Sequence, residues 1–155
     1  MAEAVDYFSN HSLKLRFPWS LYHQPIVEKL GSVVRSSPGP SVLNIGSGPF
    51  LELESLGKTD RKFTVCDIDE RAIDMARELH GDKLAGADVV DPDKPLPYDD
   101  DTFDLAVSMD VVEHVPDPLP WLREAMRVIR PGGILFLTTP NYASHSLKLI
   151  EGTVL

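Results

Sequence analysis

From Ser41 onward the chain alternates between short apolar runs and stretches whose apolar residues recur every three or four positions. Val42–Leu43–Asn44–Ile45 is the first run, and it ends in glycines. Phe63–Thr64–Val65–Cys66 is the second, Lys83 to Ala87 a weaker third, Phe103 to Met109 a fourth and Ile134 to Leu137 a fifth. Runs of this length bounded by turn residues read as strands, and the fifth, apolar throughout, reads as buried on both faces. Between them lie helical patterns. Asp69 is a good N-cap for a helix carrying Ile73, Ala76 and Leu79 on one face, with Gly81 as its stop. Asp117–Pro118 opens another, an N-cap followed by proline at the first position. Its apolar face is Leu119, Leu122, Met126 and Ile129, and Pro131–Gly132–Gly133 ends it. An earlier stripe, Ile26, Val27, Leu30 and Val34, is broken by Ser36–Ser37–Pro38–Gly39–Pro40. Strands alternating with helices predict an α/β fold: a mostly parallel sheet with right-handed crossovers.

Sheets of this kind bind ligands beyond the carboxyl ends of their strands, near the switch point in strand order. After the first strand comes Asn44–Ile45–Gly46–Ser47–Gly48, where glycines let the backbone turn sharply and approach a ligand closely. After the second comes Asp67, 21 residues beyond Gly46, a carboxylate placed to accept from both hydroxyls of a ribose. The dinucleotide fingerprint needs a third glycine where Leu51 stands, and no Gly-Lys-Ser/Thr follows to make a phosphate loop. The pattern suits an adenosine ligand without phosphates.

These residues resemble the first motifs of class I S-adenosylmethionine (SAM)-dependent methyltransferases. Val42–Leu43–Asn44–Ile45–Gly46–Ser47–Gly48 is similar to their glycine loop, and Asp67 in Val65–Cys66–Asp67–Ile68–Asp69 to their ribose-binding acid. Ala87–Asp88–Val89 matches the position contacting adenine, with Asp88 facing its amino group. Phe103 to Met109 resembles the fourth strand. Val112–Glu113–His114–Val115–Pro116–Asp117, Arg130–Pro131–Gly132–Gly133 and Thr139–Pro140–Asn141 are similar to the ubiquinone-biosynthesis-like, small-molecule branch. The resemblance spans about residues 40–142. It implies a Rossmann-like three-layer sandwich with strand order 3-2-1-4-5. It also implies SAM as cofactor, S-adenosylhomocysteine as product, and a cofactor site of Asn44, Gly46, Ser47, Gly48, Asp67, Ile68, Ala87, Asp88, Val89 and Met109. Two positions depart from the pattern. Asn44 replaces the usual acid and removes a negative charge near the sulfonium and amino group. Phe50 replaces a usual glycine, a change expected to reshape the methionine end of the pocket.

Composition narrows the partners. A formal net charge of −9 argues against nucleic acid, whose binders usually carry a basic face. No apolar run approaches the ~20 residues of a membrane span, and Met1 to Asn10 lacks the basic start and apolar core of a secretory signal. A cytoplasmic protein is expected. Cys66 is the sole cysteine, so it forms no internal disulfide and reads as a core residue of the second strand. Tyr7, Phe8, Phe17, Trp19 and Tyr22 crowd residues 1–25, and this segment (domain 1–40) is a candidate lid over a SAM-binding core at 41–155. A full class I fold continues with a helix and an antiparallel hairpin. The chain to Leu155 is expected to be a truncated or trimmed form of that core without the hairpin, which would leave the fifth strand an open edge, with homodimerisation through it as the testable consequence.

Methyl transfer from a sulfonium is an in-line displacement that positioning and water exclusion largely accelerate, with a base needed only when the acceptor must lose a proton. Asp110, Glu113 and His114, just after the fourth strand, are the available acids and bases. Asp110 and His114 are the catalytic candidates. The run is similar to the Glu-x-x-Glu-His of ubiquinone-type O-methyltransferases, so Mg²⁺ is an alternative there, although no metal is expected. The Asp/Asn-Pro-Pro-Tyr motif of DNA methyltransferases is absent, and so is a paired-glutamate loop resembling that of protein-arginine enzymes. A small hydroxyl, carboxyl or amine acceptor remains. A SAM-binding module without catalysis and a nicotinamide oxidoreductase are the competing classes.

Overall fold

The computed structural model describes residues 20–141. Five strands, β1 (Ser41–Ile45), β2 (Lys62–Asp67), β3 (Leu84–Val89), β4 (Phe103–Met109) and β5 (Ile129–Thr138), form one sheet in the order β3-β2-β1-β4-β5. Every pairing is parallel. Among the described residues three α-helices flank it: α1 (Ser20–Ser36), α2 (Glu70–His80) and α3 (Pro118–Arg127). The strand order reverses between β1 and β4, which places the switch point beside the glycine loop, as the sequence predicts.

The strands alternate their side chains between two cores. Val42, Phe63, Val65, Leu105 and Val107 meet Leu30 and Val34 of α1 and Ile73 and Ala76 of α2 on one face. Leu43, Ile45, Cys66, Phe103 and Ala106 meet Ala125, Val128 and Trp121 on the other. Each buried aliphatic side chain contributes roughly 1.5–3 kcal/mol from its removal from water, so these two layers hold the sheet in place. Burial also pushes the Cys66 thiol up to about 12, so it stays protonated at neutral pH and behaves as a packed residue.

Local chemistry sets the helix boundaries. Asp69 accepts from the Arg71 N–H, and Gly81 closes α2 at φ +47. Asp117 accepts from Leu119 N–H with Pro118 at the first turn of α3. The end of α1 is held by Arg61, whose guanidinium donates to the carbonyls of Arg35, Ser37 and Gly39. Those carbonyls would otherwise be left without helix partners.

Two expectations fail at the second crossover. The apolar face of α3 is shifted: Leu119 and Met126 are 62% and 54% exposed, and the helix seats Trp121 and Ala125 instead. The small Ala125 allows close approach to the sheet, and that sets the helix phase. Ile129 is already in β5, and Pro131–Gly132–Gly133 does not end a helix but forms a bulge within β5. The pairing jumps from Phe103↔Ile129 to Leu105↔Ile134. A Cβ on Gly133 would lie 2.5 Å from Ile129 Cγ2 and 2.9 Å from the Asp104 carbonyl, so only glycine fits the bulge. Ile134 to Leu137 are half-buried rather than enclosed, because β5 is an edge strand of the described sheet. The lid expected of the N-terminal aromatics falls mostly on residues 1–19, outside the described residues, as does any covering of the β5 edge by residues 142–155. Among the described residues no helix is long and apolar enough to cross a membrane.

Candidate active site

The loop after β1 is knitted to the end of β2. The N–H groups of Gly46 and Ser47 both donate to the Cys66 carbonyl, at 2.8 and 3.1 Å. Gly46 has φ +68 and Gly48 φ +53, left-handed values that glycine adopts at little cost. At Gly46 the need is also steric, since a Cβ there would meet Val111 Cγ2 at 2.5 Å. The glycine loop therefore lies directly against the turn that follows β4.

Asp67, 7% exposed, anchors this corner. Its Oδ2 accepts from the Gly48 N–H at 2.7 Å and its Oδ1 from the Asp69 N–H at 3.0 Å. One donor on each oxygen fixes the carboxylate plane. A carboxylate offers about four lone-pair sites, so each oxygen keeps one for a further donor. Two adjacent ribose hydroxyls are donors of that number and spacing. Beside it, Ile68 and Val89 stand exposed at the ends of β2 and β3, apolar side chains fit to flank a flat base. Asp88 and Ala87 are partly exposed in β3, and the Tyr98 hydroxyl donates to Asp88 Oδ2 at 2.9 Å.

Asn44 is 1% exposed, and neither its Oδ1 nor its Nδ2 finds a partner among the described residues. A buried amide left open at both ends is costly, and a bound group carrying both a donor and an acceptor would satisfy it. The amino-acid end of SAM is such a group. Phe50 adopts φ +52, and its ring faces inward, packing on Phe63 and His80. The expected reshaping of the methionine end therefore does not come from this ring. His80 supports the same loop from below, its Nε2 3.1 Å from the Pro49 carbonyl. Because a carbonyl only accepts, Nε2 carries the proton. The residues present fit the cofactor that the sequence implies.

Around β4 the arrangement is looser. Ser108 Oγ donates to the Ile45 carbonyl, joining β4 to β1 beneath the loop. Met109 is half-buried. Asp110 takes φ +55, its N–H donates to the Thr138 carbonyl, and its Oδ1 accepts from Thr138 Oγ1 at 3.0 Å. Glu113 is half-buried, its enclosed Oε2 without a partner among the described residues, whereas His114 is exposed on the short turn Val112–His114. Among the described residues no three His, Cys, Asp or Glu side chains converge as a metal cluster would require. The structure thus gathers Asn44, Gly46, Ser47, Gly48, Asp67 and Asp88 around β1–β3, and sets Asp110 and His114 on the β4–β5 side.

Several supporting residues escape sequence reasoning. Tyr98, His80 and Thr138 act through contacts formed only when distant segments meet. So does Arg127, which donates to the carbonyls of Leu96 and Tyr98 and so binds the loop between β3 and β4 to α3. A groove of about 1060 Å³ lies at the opposite end of the sheet, along Lys58, Arg61, Lys62 and Lys83. Glu54, Asp60 and Asp82 interleave with those cations, and none of the predicted site residues reaches it.

Comparison with known proteins supplies the chemistry that the fold alone leaves open. The solved structure of a SAM-dependent methyltransferase from Aquifex aeolicus superposes with a TM-score of 0.56 at 21% identity, over 73% of this chain and 70% of that one. The [4+2]-cyclase SpnF gives a TM-score of 0.69 at 23% identity, over 78% and 46%. These likenesses show the fold alone. In sequence, the chain is 31% identical over 114 residues to the ubiquinone biosynthesis O-methyltransferase of Xanthomonas campestris pv. campestris, covering 72% of this chain and 48% of that one. The chain spans about half the length of the curated relatives it matches. The family described as "Methyltransferase domain" matches residues 43–137, which run from within β1 to near the end of β5 and take in the glycine-loop corner. With this match and the parallel 3-2-1-4-5 sheet, the chain belongs to the class I SAM-dependent methyltransferases.

Proposed function

We propose that this chain transfers a methyl group from SAM to a small-molecule acceptor, most readily at an oxygen. Asp67 carries the reading: a buried carboxylate whose oxygens are each fixed by one backbone N–H and each open to one more donor. SAM, when bound, supplies an activated methyl carbon on a sulfonium. Asp67 holds the ribose hydroxyls, and Gly46, Ser47 and Gly48 let the backbone approach without a side chain between. Ile68 and Val89 flank the base, Ala87 lies at its edge, and Asp88 accepts from its amino group. Asn44 faces the amino-acid end. Met109 stands beside the methyl transfer position, where its apolar side chain excludes water. Asp110 and His114 lie where an acceptor would enter and serve as the groups that orient it and take its proton.

The O-methyltransferase name of the X. campestris relative favours an oxygen acceptor, hydroxyl or carboxyl, over an amine. A second reading, a SAM-binding module without methyl transfer, draws on Asn44, an amide where the family's usual acid would carry charge. Titration of the chain with SAM and S-adenosylhomocysteine, repeated on Asp67→Ala, tests the cofactor site. The expected result is micromolar binding that the substitution removes. Turnover against a panel of hydroxyl, carboxyl and amine acceptors then separates the enzyme from the binding module. Methylation of none of them would favour the module.

A further inference from the structure

The loop between β3 and β4, residues 90–102, is fastened at several points to α3. Arg127 donates through Nη1 to the Tyr98 carbonyl at 2.9 Å and through Nη2 to the Leu96 carbonyl at 3.1 Å. Glu124 Oε1 accepts from the Leu96 N–H at 2.8 Å. The Tyr98 ring packs edge-on against Phe103, with centroids 5.2 Å apart and planes at 89°. Thus held, Tyr98 reaches the underside of β3, where its hydroxyl donates to Asp88 Oδ2 at 2.9 Å beside the Cys66 thiol. Burial raises the phenol well above its ordinary range, so it is neutral and donates at any working pH.

The hydroxyl restrains Asp88, and the functional weight of that restraint rests on the assignment of Asp88 to the adenine end of the cofactor. The torsion that orients a carboxylate is broad and roughly two-fold, so an unrestrained Asp turns either oxygen toward a ligand and back. A donor held on Oδ2 ends that freedom and leaves Oδ1 without a hydrogen-bond donor among the described residues. Adenine presents an amino group at C6, a donor, whereas a 6-oxo purine presents an acceptor there. We propose that Tyr98 is a positioning residue for base recognition: by fixing Oδ2 of Asp88 it aims Oδ1 at an exocyclic amino group and makes the site selective for adenine over a 6-oxo purine. A site built to pair with an N–H rejects an analogue lacking it far more strongly than an apolar pocket rejects a change in shape. The selectivity arises from a side chain that never touches the cofactor.

Titration of the full chain with S-adenosylhomocysteine and with S-inosylhomocysteine, native and as Tyr98→Phe, tests the idea. The variant keeps the ring packed on Phe103 and removes only the hydroxyl. The native chain should prefer the adenine compound by roughly tenfold or more. Tyr98→Phe should cut that preference by roughly threefold or more, with the loss confined to S-adenosylhomocysteine. Unchanged binding of the inosine compound by the variant serves as the internal check on its fold. An unchanged preference in Tyr98→Phe would overturn the inference while leaving the cofactor assignment intact. So would an equal loss for both compounds, which a merely structural tyrosine would produce. A native chain that binds neither compound would overturn the cofactor assignment itself, and the inference with it.

Discussion

The carboxyl ends of β1, β2 and β3 differ sharply from those of β4 and β5. On the first side the glycine loop, Asp67 and Asp69 are tied together by hydrogen bonds of 2.7–3.1 Å, Tyr98 separately holds Asp88 at 2.9 Å, and the buried Asn44 amide is without a partner among the described residues. On the second side, Asp110 is bound to Thr138, Glu113 leaves one buried oxygen without a partner among the described residues, and His114 faces solvent. A carboxylate already fixed on both oxygens, as Asp67 is, can bind one ligand with little reorganisation. The turn after β4, with its exposed His114, is the more open end, and on the proposed function it is the one that meets the acceptor. Damage to the first side should therefore remove cofactor binding, and damage to the second should spare it.

The largest effect should come from Asp67→Ala. Hydrogen bonds to a charged acceptor are worth roughly 1.5–3 kcal/mol each, so losing two ribose contacts should weaken S-adenosylhomocysteine binding by about a hundredfold or more. The substitution also strands the N–H groups of Gly48 and Asp69. Asp67→Asn, which keeps one acceptor, should recover part of the loss in calorimetric titration. Binding by Asp67→Ala within a few-fold of native would break the contrast between the two sides. Gly46→Val should come next, because it adds backbone strain at φ +68 to a collision with Val111. A stability loss of about 2–4 kcal/mol is expected in denaturant unfolding. Trimming the partner sharpens the test. Val111→Ala in the same chain should relieve the collision but not the strain, recovering about half.

What the sequence reveals of this architecture divides along similar lines. Asp69, Gly81, Asp117 and Pro118 act within a few residues of their own position, and the helix ends they imply are those observed. Asp67 is legible because a strand-end acid at a fixed distance from a glycine turn is itself a pattern. The failures are matters of tertiary geometry. Leu119 and Met126 satisfy helical periodicity as well as Trp121 and Ala125 do, and only the sheet beneath α3 decides which stripe is buried. The bulge at Pro131–Gly132–Gly133 looks like a helix stop because both uses favour the same residues. Tyr98, His80 and Arg127 reach partners 10 to 31 residues away, and no local pattern records such a meeting.

A smaller effect is expected where the loop after β3 is bound to α3. Arg127 holds the Glu124 carboxyl below the usual carboxylate range, chiefly through their hydrogen bonds. A group depressed in the folded state contributes stability above its unfolded value, here 4.5, and loses it as pH falls through the folded one. The melting temperature should therefore drop in acid below about pH 4.5, and Arg127→Ala should flatten that part of the Glu124 contribution. At neutral pH the same substitution should cost about 1–2 kcal/mol, since it frees the carbonyls of Leu96 and Tyr98 as well. An Arg127→Ala chain as stable as the native one at pH 7 would mean that the Glu124–Leu96 hydrogen bond and the apolar residues suffice to hold the loop.

His114→Ala should have the smallest effect on binding and the most informative effect on turnover. The imidazole is exposed at the end of the turn after β4, so S-adenosylhomocysteine affinity should stay within about twofold of native. Turnover depends on the acceptor. A phenol or alcohol must shed a proton as its oxygen attacks, and removing the group that takes it should lower kcat by roughly tenfold or more, with the deficit narrowing as pH rises and the acceptor ionises unaided. A carboxylate acceptor attacks without losing a proton, and for it kcat should be unchanged. The same variant therefore reports on two questions at once: unchanged affinity supports the separation of the two sides, and the pH dependence of kcat tells which kind of acceptor the open side receives. A loss of cofactor affinity in His114→Ala, with the fold intact by thermal melting, would mean that the β4 turn belongs to the cofactor site and that the division between the sides is drawn in the wrong place.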